Sequence, residues 1–223
     1  MTLIRLQDIF KSYRDGQNHL NHVLKGVNLG VDKGEFVAIK GPSGSGKTTL
    51  LSILGTLLLP DSGNYLLDDK NMFSQDVNHA IVRNKQIGFI FQDHRLMPQL
   101  TALENILLPT LAYSSRTTVQ ESEYAHHLME LTNIHGVENQ YPHTLSGGEA
   151  SRVAACRALI MKPLLLLADE PTGQLDAENT RNIASMLKDI NRNLHTTIIM
   201  VTHSEETSAV ADRILFLKEG LLR

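Results

Sequence analysis

Gly41-Pro42-Ser43-Gly44-Ser45-Gly46-Lys47-Thr48-Thr49 lies between an apolar run, Phe36-Val37-Ala38-Ile39, and a leucine-rich run, Leu50-Leu51-Ser52-Ile53-Leu54. The order is strand, glycine-rich loop, helix. In that context G-x-x-x-x-G-K-[ST] is a phosphate cradle rather than a glycine turn before a core helix. Glycines let backbone N–H groups turn inward onto phosphate oxygens, which a Cβ would hinder. A helix starting near Lys47 adds the positive end of its dipole. Lys47 is placed to reach the β- and γ-phosphates, and the Thr48 hydroxyl to ligate Mg²⁺.

Outward from the loop, strand and helix signals alternate, which predicts an α/β fold with a mostly parallel sheet. Thr2 to Ile9 and Val23 to Val31 read as strands, and Glu35 to Lys40 feeds the loop. The following helix is expected to reach about Leu58, before the turn Pro60-Asp61-Ser62-Gly63 and a strand at Asn64 to Asp68. Gln86 to Phe91 is β-rich, and Leu100 to about Ile134 turns helical, with Glu121 to Leu131 the clearest piece. A helix begins at Ser146, and Leu164 to Leu167 is a short apolar run that fits a buried parallel strand. Asp176 or Ala177 opens a helix whose apolar stripe is Ile183, Met186, Leu187, Ile190 and Leu194. Thr197 to Val201 and Arg213 to Leu217 complete the strands.

At 223 residues the chain fits one compact α/β domain or a domain with an insertion, and two full domains would be tight. A net charge of −3 offers no basic field for nucleic acid. The single cysteine, Cys156, excludes an intrachain disulfide and suits a reducing compartment. Arg5, Asp8, Lys11 and Arg14 interrupt any leader-like apolar opening, and Leu50 to Leu59 is too short to cross a bilayer. Action on a membrane would need spans from another polypeptide.

The Leu164–Leu167 run ends in Ala168-Asp169-Glu170. An acidic residue at that position in phosphate-loop proteins helps hold Mg²⁺, which assigns Asp169 to the metal. Glu170 stands at the strand mouth, where a carboxylate can polarise a water for attack on a γ-phosphate. Thr202-His203 ends the next strand, at the carboxyl edge where parallel sheets bind ligands. The remaining histidines, including His19, His22, His126 and His127, read as solvated. Leu145-Ser146-Gly147-Gly148-Glu149 precedes an Ala- and Arg-rich helix. Ser146 and Glu149 fit a capping box, and the glycine pair additionally opens the first turn to an anion.

Together these residues resemble the ATP-binding cassette (ABC) ATPases, over essentially the whole chain and in family order. The phosphate loop is Gly41–Thr48, the glutamine loop Gln92, the signature Leu145–Glu149, the acidic strand Leu164–Glu170, the following loop carries Asp176, and His203 is the switch histidine. Tyr13 resembles the aromatic that stacks on adenine. The resemblance implies a P-loop NTPase with a RecA-like parallel core, an N-terminal antiparallel β layer and a helical insertion. It implies a single domain over 1–223, with 1–92 and 158–223 as the nucleotide-binding core and 93–157 as the helical signature subdomain. It also implies ATP and Mg²⁺ as cofactors, with Glu170, His203 and Lys47 catalytic. Gly41, Pro42, Ser43, Gly44, Ser45, Gly46, Lys47, Thr48, Thr49, Tyr13, Gln92 and Asp176 would contact nucleotide, and Thr48, Gln92 and Asp169 the metal. Two subunits would close head to tail around two ATP, Ser146, Gly147, Gly148 and Glu149 completing the partner's site.

Ile87-Gly88-Phe89-Ile90-Phe91-Gln92, Leu100-Thr101-Ala102-Leu103-Glu104-Asn105-Ile106 and Ala168-Asp169-Glu170-Pro171-Thr172-Gly173 resemble the ATPases of bacterial lipoprotein-release and macrolide-export systems. This implies a peripheral subunit on the cytoplasmic face of the inner membrane, serving a permease with few spans and a large extracytoplasmic domain. Phe91-Gln92-Asp93-His94 is also similar to division-type relatives, which regulate a cell-wall hydrolase through a membrane partner without transport. Departures from the family pattern are Ala150-Ser151, where relatives carry long polar residues, Gln174, and Cys156. With the last strand close to Arg223, no regulatory C-terminal domain is expected.

Overall fold

The computed structural model describes every residue except Asp15, Gln17 and Gln174, so the departure at Gln174 lies outside the described residues. The first part of the chain forms β1 (Thr2–Arg14), β2 (Leu20–Asp32), β3 (Phe36–Lys40), α1 (Lys47–Leu54), β4 (Ser62–Leu67) and β5 (Lys70–Asn71). Then come α2 (His79–Lys85), β6 (Ile87–Ile90), α3 (Ala102–Leu107) with a 3₁₀ turn at Leu108–Ala112, α4 (Val119–Leu131) and α5 (Gly147–Leu159). The last part holds β7 (Leu165–Asp169), α6 (Ala177–Leu194), β8 (Thr197–Val201), α7 (Glu205–Ser208), β9 (Arg213–Lys218) and β10 (Leu221–Leu222).

Two sheets result. One is antiparallel in the order β2-β1-β4-β5; the other runs β10-β9-β3-β8-β7-β6, parallel from β9 to β6 with β10 antiparallel at its edge. The expected antiparallel layer and parallel core are both present.

The central strands are buried on both faces, and their side chains alternate between two cores. Phe36 and Ala38 of β3 join α3, α4, α5 and α6 in one; Val37 and Ile39 join α1 and the antiparallel layer in the other. On α6, Ile183, Met186, Leu187 and Ile190 are buried, as their spacing predicts. Burial of such a side chain contributes about 1.5–3 kcal/mol.

Three local differences from the sequence reading have clear causes. β1 and β2 are each longer than expected, because bulges break the alternation: Asp8 has φ +49° and its backbone N–H is taken by Asn28 Oδ1 at 3.1 Å. α1 stops at Leu54 instead of about Leu58. Gly55 follows in a non-helical conformation, Thr56 has φ +54°, and the Tyr65 hydroxyl donates to the freed Leu54 carbonyl at 2.8 Å. α2 has no counterpart in the sequence reading, since Val82 is its one buried residue and leaves no apolar period to see.

Candidate active site

The strand order β3-β8-β7 sets three strand ends side by side. Ile39, Val201 and Asp169 lie in one row across the sheet. One residue further on, the Glu170 N–H donates to Val201 O at 2.9 Å and the Thr202 N–H to Ile39 O at 3.2 Å. The phosphate loop, His203 and the Asp169-Glu170 pair therefore share one edge, at the carboxyl ends of parallel strands.

Within the loop, Gly44 and Gly46 have φ of +76° and +100°, and Gly46 caps the start of α1. These are left-handed conformations that side-chain-bearing residues rarely adopt. Lys47 is buried, and its Nζ donates to Gly41 O at 2.9 Å and Pro42 O at 3.0 Å. The Ser45 hydroxyl is buried with no hydrogen-bond partner. A buried polar atom left unpaired calls for a ligand or water, so the loop suits an oxygen-rich ligand. Beside it lies a recess of about 410 Å³ lined by Pro42 to Ser45, Asn21, His22 and Lys25. Tyr13 is opposite Asn21 in the β1–β2 ladder, 42% exposed, with the Lys11 ammonium 5.8 Å from its ring centre.

The Asp169 carboxyl is pushed above its ordinary value, first by burial and then by the charge of Glu170. A hydrogen bond from Thr48 and the positive charges of Lys47 and Arg95 oppose that rise. An acid held in this way gains from a nearby cation. Asp169 and Gln92 line one recess of about 300 Å³ with Phe91, Asp93 and Arg95. Among the described residues no group of three or more His, Cys, Asp or Glu side chains is placed to hold a metal. A Mg²⁺ site needs only one or two carboxylates, with substrate phosphates and water completing its shell.

Glu170 has φ +46°, and its Oε2 stands 3.3 Å from His203 Nδ1. A non-glycine residue in that conformation costs about 1–3 kcal/mol, a strain found at functional sites. Gln92 packs against Gly173, where an added Cβ would lie 3.2 Å from its Nε2.

The signature forms a second group. Ser146 caps α5: its Oγ accepts from the Glu149 N–H at 3.3 Å and donates to Glu149 Oε2 at 2.7 Å. The Ser146 N–H donates to the same oxygen at 2.8 Å. These bonds hold the Glu149 carboxyl below its ordinary value, the Ser146 hydroxyl contributing most. A Cβ on Gly148 would come within 2.7 Å of Asn179 Oδ1, and one on Gly147 within 3.2 Å of Leu175 Cδ2. Asn179 is fixed by Asp176, which caps α6 and accepts from the Asn179 N–H at 2.8 Å and Nδ2 at 2.7 Å. The structure thus gathers the phosphate loop, Gln92, Asp169, Glu170 and His203 at one edge, and Ser146–Glu149 with Asp176 in another cluster.

Sequence reasoning missed Arg95 and Asn179. Arg95 sets its guanidinium 4.1 Å from the Phe91 ring centre and its charge toward Asp169, and nothing in the sequence pattern marks it. His94, read as solvated with the other histidines, is half-buried, whereas His22 is exposed as expected. His22 Nδ1 meets Ser12 Oγ at 2.8 Å, and half-buried His94 meets Ser151 Oγ at 2.8 Å.

The sequence profile described as "ABC transporter" matches residues 24–173. The lipoprotein-releasing system ATP-binding protein LolD of Shewanella frigidimarina is 43% identical over 222 residues, covering 99% of this chain and 92% of that protein. The macrolide export ATP-binding/permease protein MacB of Rhodopirellula baltica is 41% identical over 99% of this chain, which spans 32% of that longer protein. Among solved structures, the dimeric post-hydrolysis state of the ATP-binding cassette MJ0796 bound to ADP and Pi superposes with a TM-score of 0.87 at 36% identity, covering 99% and 96% of the two chains. The profile, the relatives and the shared fold together establish that this chain belongs to the ABC transporter family, as an ATPase of the LolD/MacB type.

Proposed function

We propose that the chain is the ATP-hydrolysing subunit of a bacterial export or mechanotransmission complex, closing as a head-to-tail dimer around two ATP. One observation carries the reading: Glu170 and His203 stand 3.3 Å apart at the strand edge that also ends in the Gly41–Thr48 loop. Gly41 to Thr49 wrap the phosphates, Lys47 neutralises their charge, and Tyr13 stacks on adenine. Thr48 and Asp169 would hold Mg²⁺, joined by Gln92 on closure; when bound, the ion would supply positive charge against the phosphates. Glu170 takes the proton of the attacking water, and His203 orients that carboxylate. Ser146, Gly147, Gly148 and Glu149, with Asp176, meet the nucleotide of the opposite subunit. ATP then favours the closed dimer and ADP the open one, the differential affinity a conformational cycle needs.

Residues 93–157 form the helical subdomain, and 1–92 with 158–223 the nucleotide-binding core. The membrane partner is a permease with a large extracytoplasmic domain, met by the segment from 93 to 109. Two features support that contact: a groove of about 460 Å³ between β6 and α5, lined in part by Phe89, Met97, Pro109 and Arg157, and the exposure of Met97, Leu108 and Leu111. Among the described residues no helix is long and apolar enough to cross a membrane. The subunit is peripheral, on the cytoplasmic face, and lipoprotein release is the favoured role because the LolD likeness spans both proteins nearly end to end.

Glu170→Gln tests this reading. It is expected to keep ATP binding, to lower turnover about 10²–10⁴-fold, and to trap an ATP-bound dimer that co-purifies from solubilised membranes with a few-span permease. Wild-type turnover would remove Glu170 as the base. Recovery of a cell-wall hydrolase regulator instead would identify a division-type ATPase.

A further inference from the structure

Two fragments have no part in the chemistry above: Asp93-His94 after Gln92, and Ala150-Ser151 after the signature. The fold joins them. His94 Nε2 lies 2.8 Å from Ser151 Oγ and 3.2 Å from Gly147 O. With a proton on Nε2 the ring donates to these two oxygens; without it, the Ser151 hydroxyl donates to the ring. Either tautomer leaves a bond to the first turns of α5. Gly147 and Ser151 are four residues apart, hence stacked on one helix face where a single ring can meet both. Ser151 is buried, and its short side chain leaves room for the imidazole to approach the Gly147 carbonyl.

Farther along α5, the Arg157 guanidinium donates to Arg95 O and to His94 O, each at 2.6 Å. The turn so gripped is strained. His94 and Arg95 have φ of +60° and +47°, adjacent left-handed conformations that cost about 1–2 kcal/mol each. Such a turn persists where its surroundings over-determine it, and α5 provides that hold at two places. The segment that carries Gln92 is therefore fastened to the helix that presents the signature.

We infer that His94 and Ser151 are positioning residues, whose side-chain bridge makes the first turn of α5 follow the Gln92 segment and so aims Ser146–Gly148 at the opposite subunit's nucleotide. The inference rests on the dimer reading above. Loss of the bridge leaves the phosphate loop untouched, because neither residue belongs to it. It loosens the first turn of α5, which carries the signature, while Arg157 still holds the His94 and Arg95 carbonyls farther along the helix.

The experiment uses the full chain carrying Glu170→Gln, with ATP and Mg²⁺, and measures the dimer dissociation constant by analytical ultracentrifugation. His94→Ala, Ser151→Ala, the double variant and His94→Gln are compared in that background, with ATP affinity and Tm measured for each. Each single alanine variant is expected to weaken dimerisation about tenfold, leaving ATP affinity and Tm close to the background. The double variant is expected to be no weaker than either single one, the mark of a shared interaction. His94→Gln keeps a donor and an acceptor at similar reach and is expected to restore most of the loss. Dimers as tight as the background, additive losses, or a parallel fall in ATP affinity would overturn the inference. A Glu170→Gln protein that stays monomeric in ATP would instead overturn the dimer reading, and this inference with it.

Discussion

The Lys47 ammonium donates to Gly41 O and Pro42 O, inside the loop. Its replacement removes the cation without disturbing the glycines that shape the loop. Lys47→Ala is expected to weaken ATP binding roughly 100-fold, because losing one partner of a buried charged pair costs about 2–5 kcal/mol. Calorimetric titration with ATP reads this directly, and an unchanged affinity would refute the cradle assignment. At this scale the sequence revealed residue types and order well: Asp169, Glu170 and His203 lie at or just past the ends of β7 and β8, and Lys47 opens α1. It did not reveal conformations. The left-handed backbone of Glu170, His94 and Arg95 is imposed by neighbours distant in sequence, such as Val201 and Arg157, and no local pattern encodes it.

Helix α5 owes its start to Ser146 and Glu149, which satisfy each other's backbone N–H groups. Ser146→Ala is expected to cost about 1 kcal/mol of stability, the usual worth of a hydroxyl cap. The pH dependence has a definite sign. The folded-state pKa of Glu149 is lowered by the Ser146 hydroxyl and N–H, so its contribution is present above the ordinary glutamate range and is lost as pH falls through the lowered value. The gap between wild type and Ser146→Ala is therefore expected to narrow between about pH 7 and about pH 3, as urea titrations at the two values would report. A gap that stays constant would detach the hydroxyl from the Glu149 charge. Elements with a clean period, such as α6, were legible in the sequence. β1, β2 and α1 were not legible to their ends, because a bulge at Asp8 and the Phe89 ring against Gly55 intervene; a Cβ there would lie 2.3 Å from that ring.

For the whole molecule, the proposed coupling passes through Gln92, which shares a recess with Asp169 and packs on Gly173. Gln92→Ala is expected to leave ATP affinity of the isolated subunit within about twofold while lowering permease-stimulated hydrolysis about tenfold, a difference of about 1.4 kcal/mol. Phosphate-release assays with and without the reconstituted permease make the comparison, and full stimulation would refute the coupling role. The alternation of β3 side chains between two cores has a historical consequence. Helices α3 to α6 are rooted on one side of the sheet, while the phosphate-loop helix and the antiparallel layer are rooted on the other. The sheet acts as a bulkhead: a packing change on the helical side need not propagate to the phosphate-loop side. A lineage built on this plan can vary the helical compartment by drift while the phosphate cradle rooted in the other compartment stays fixed.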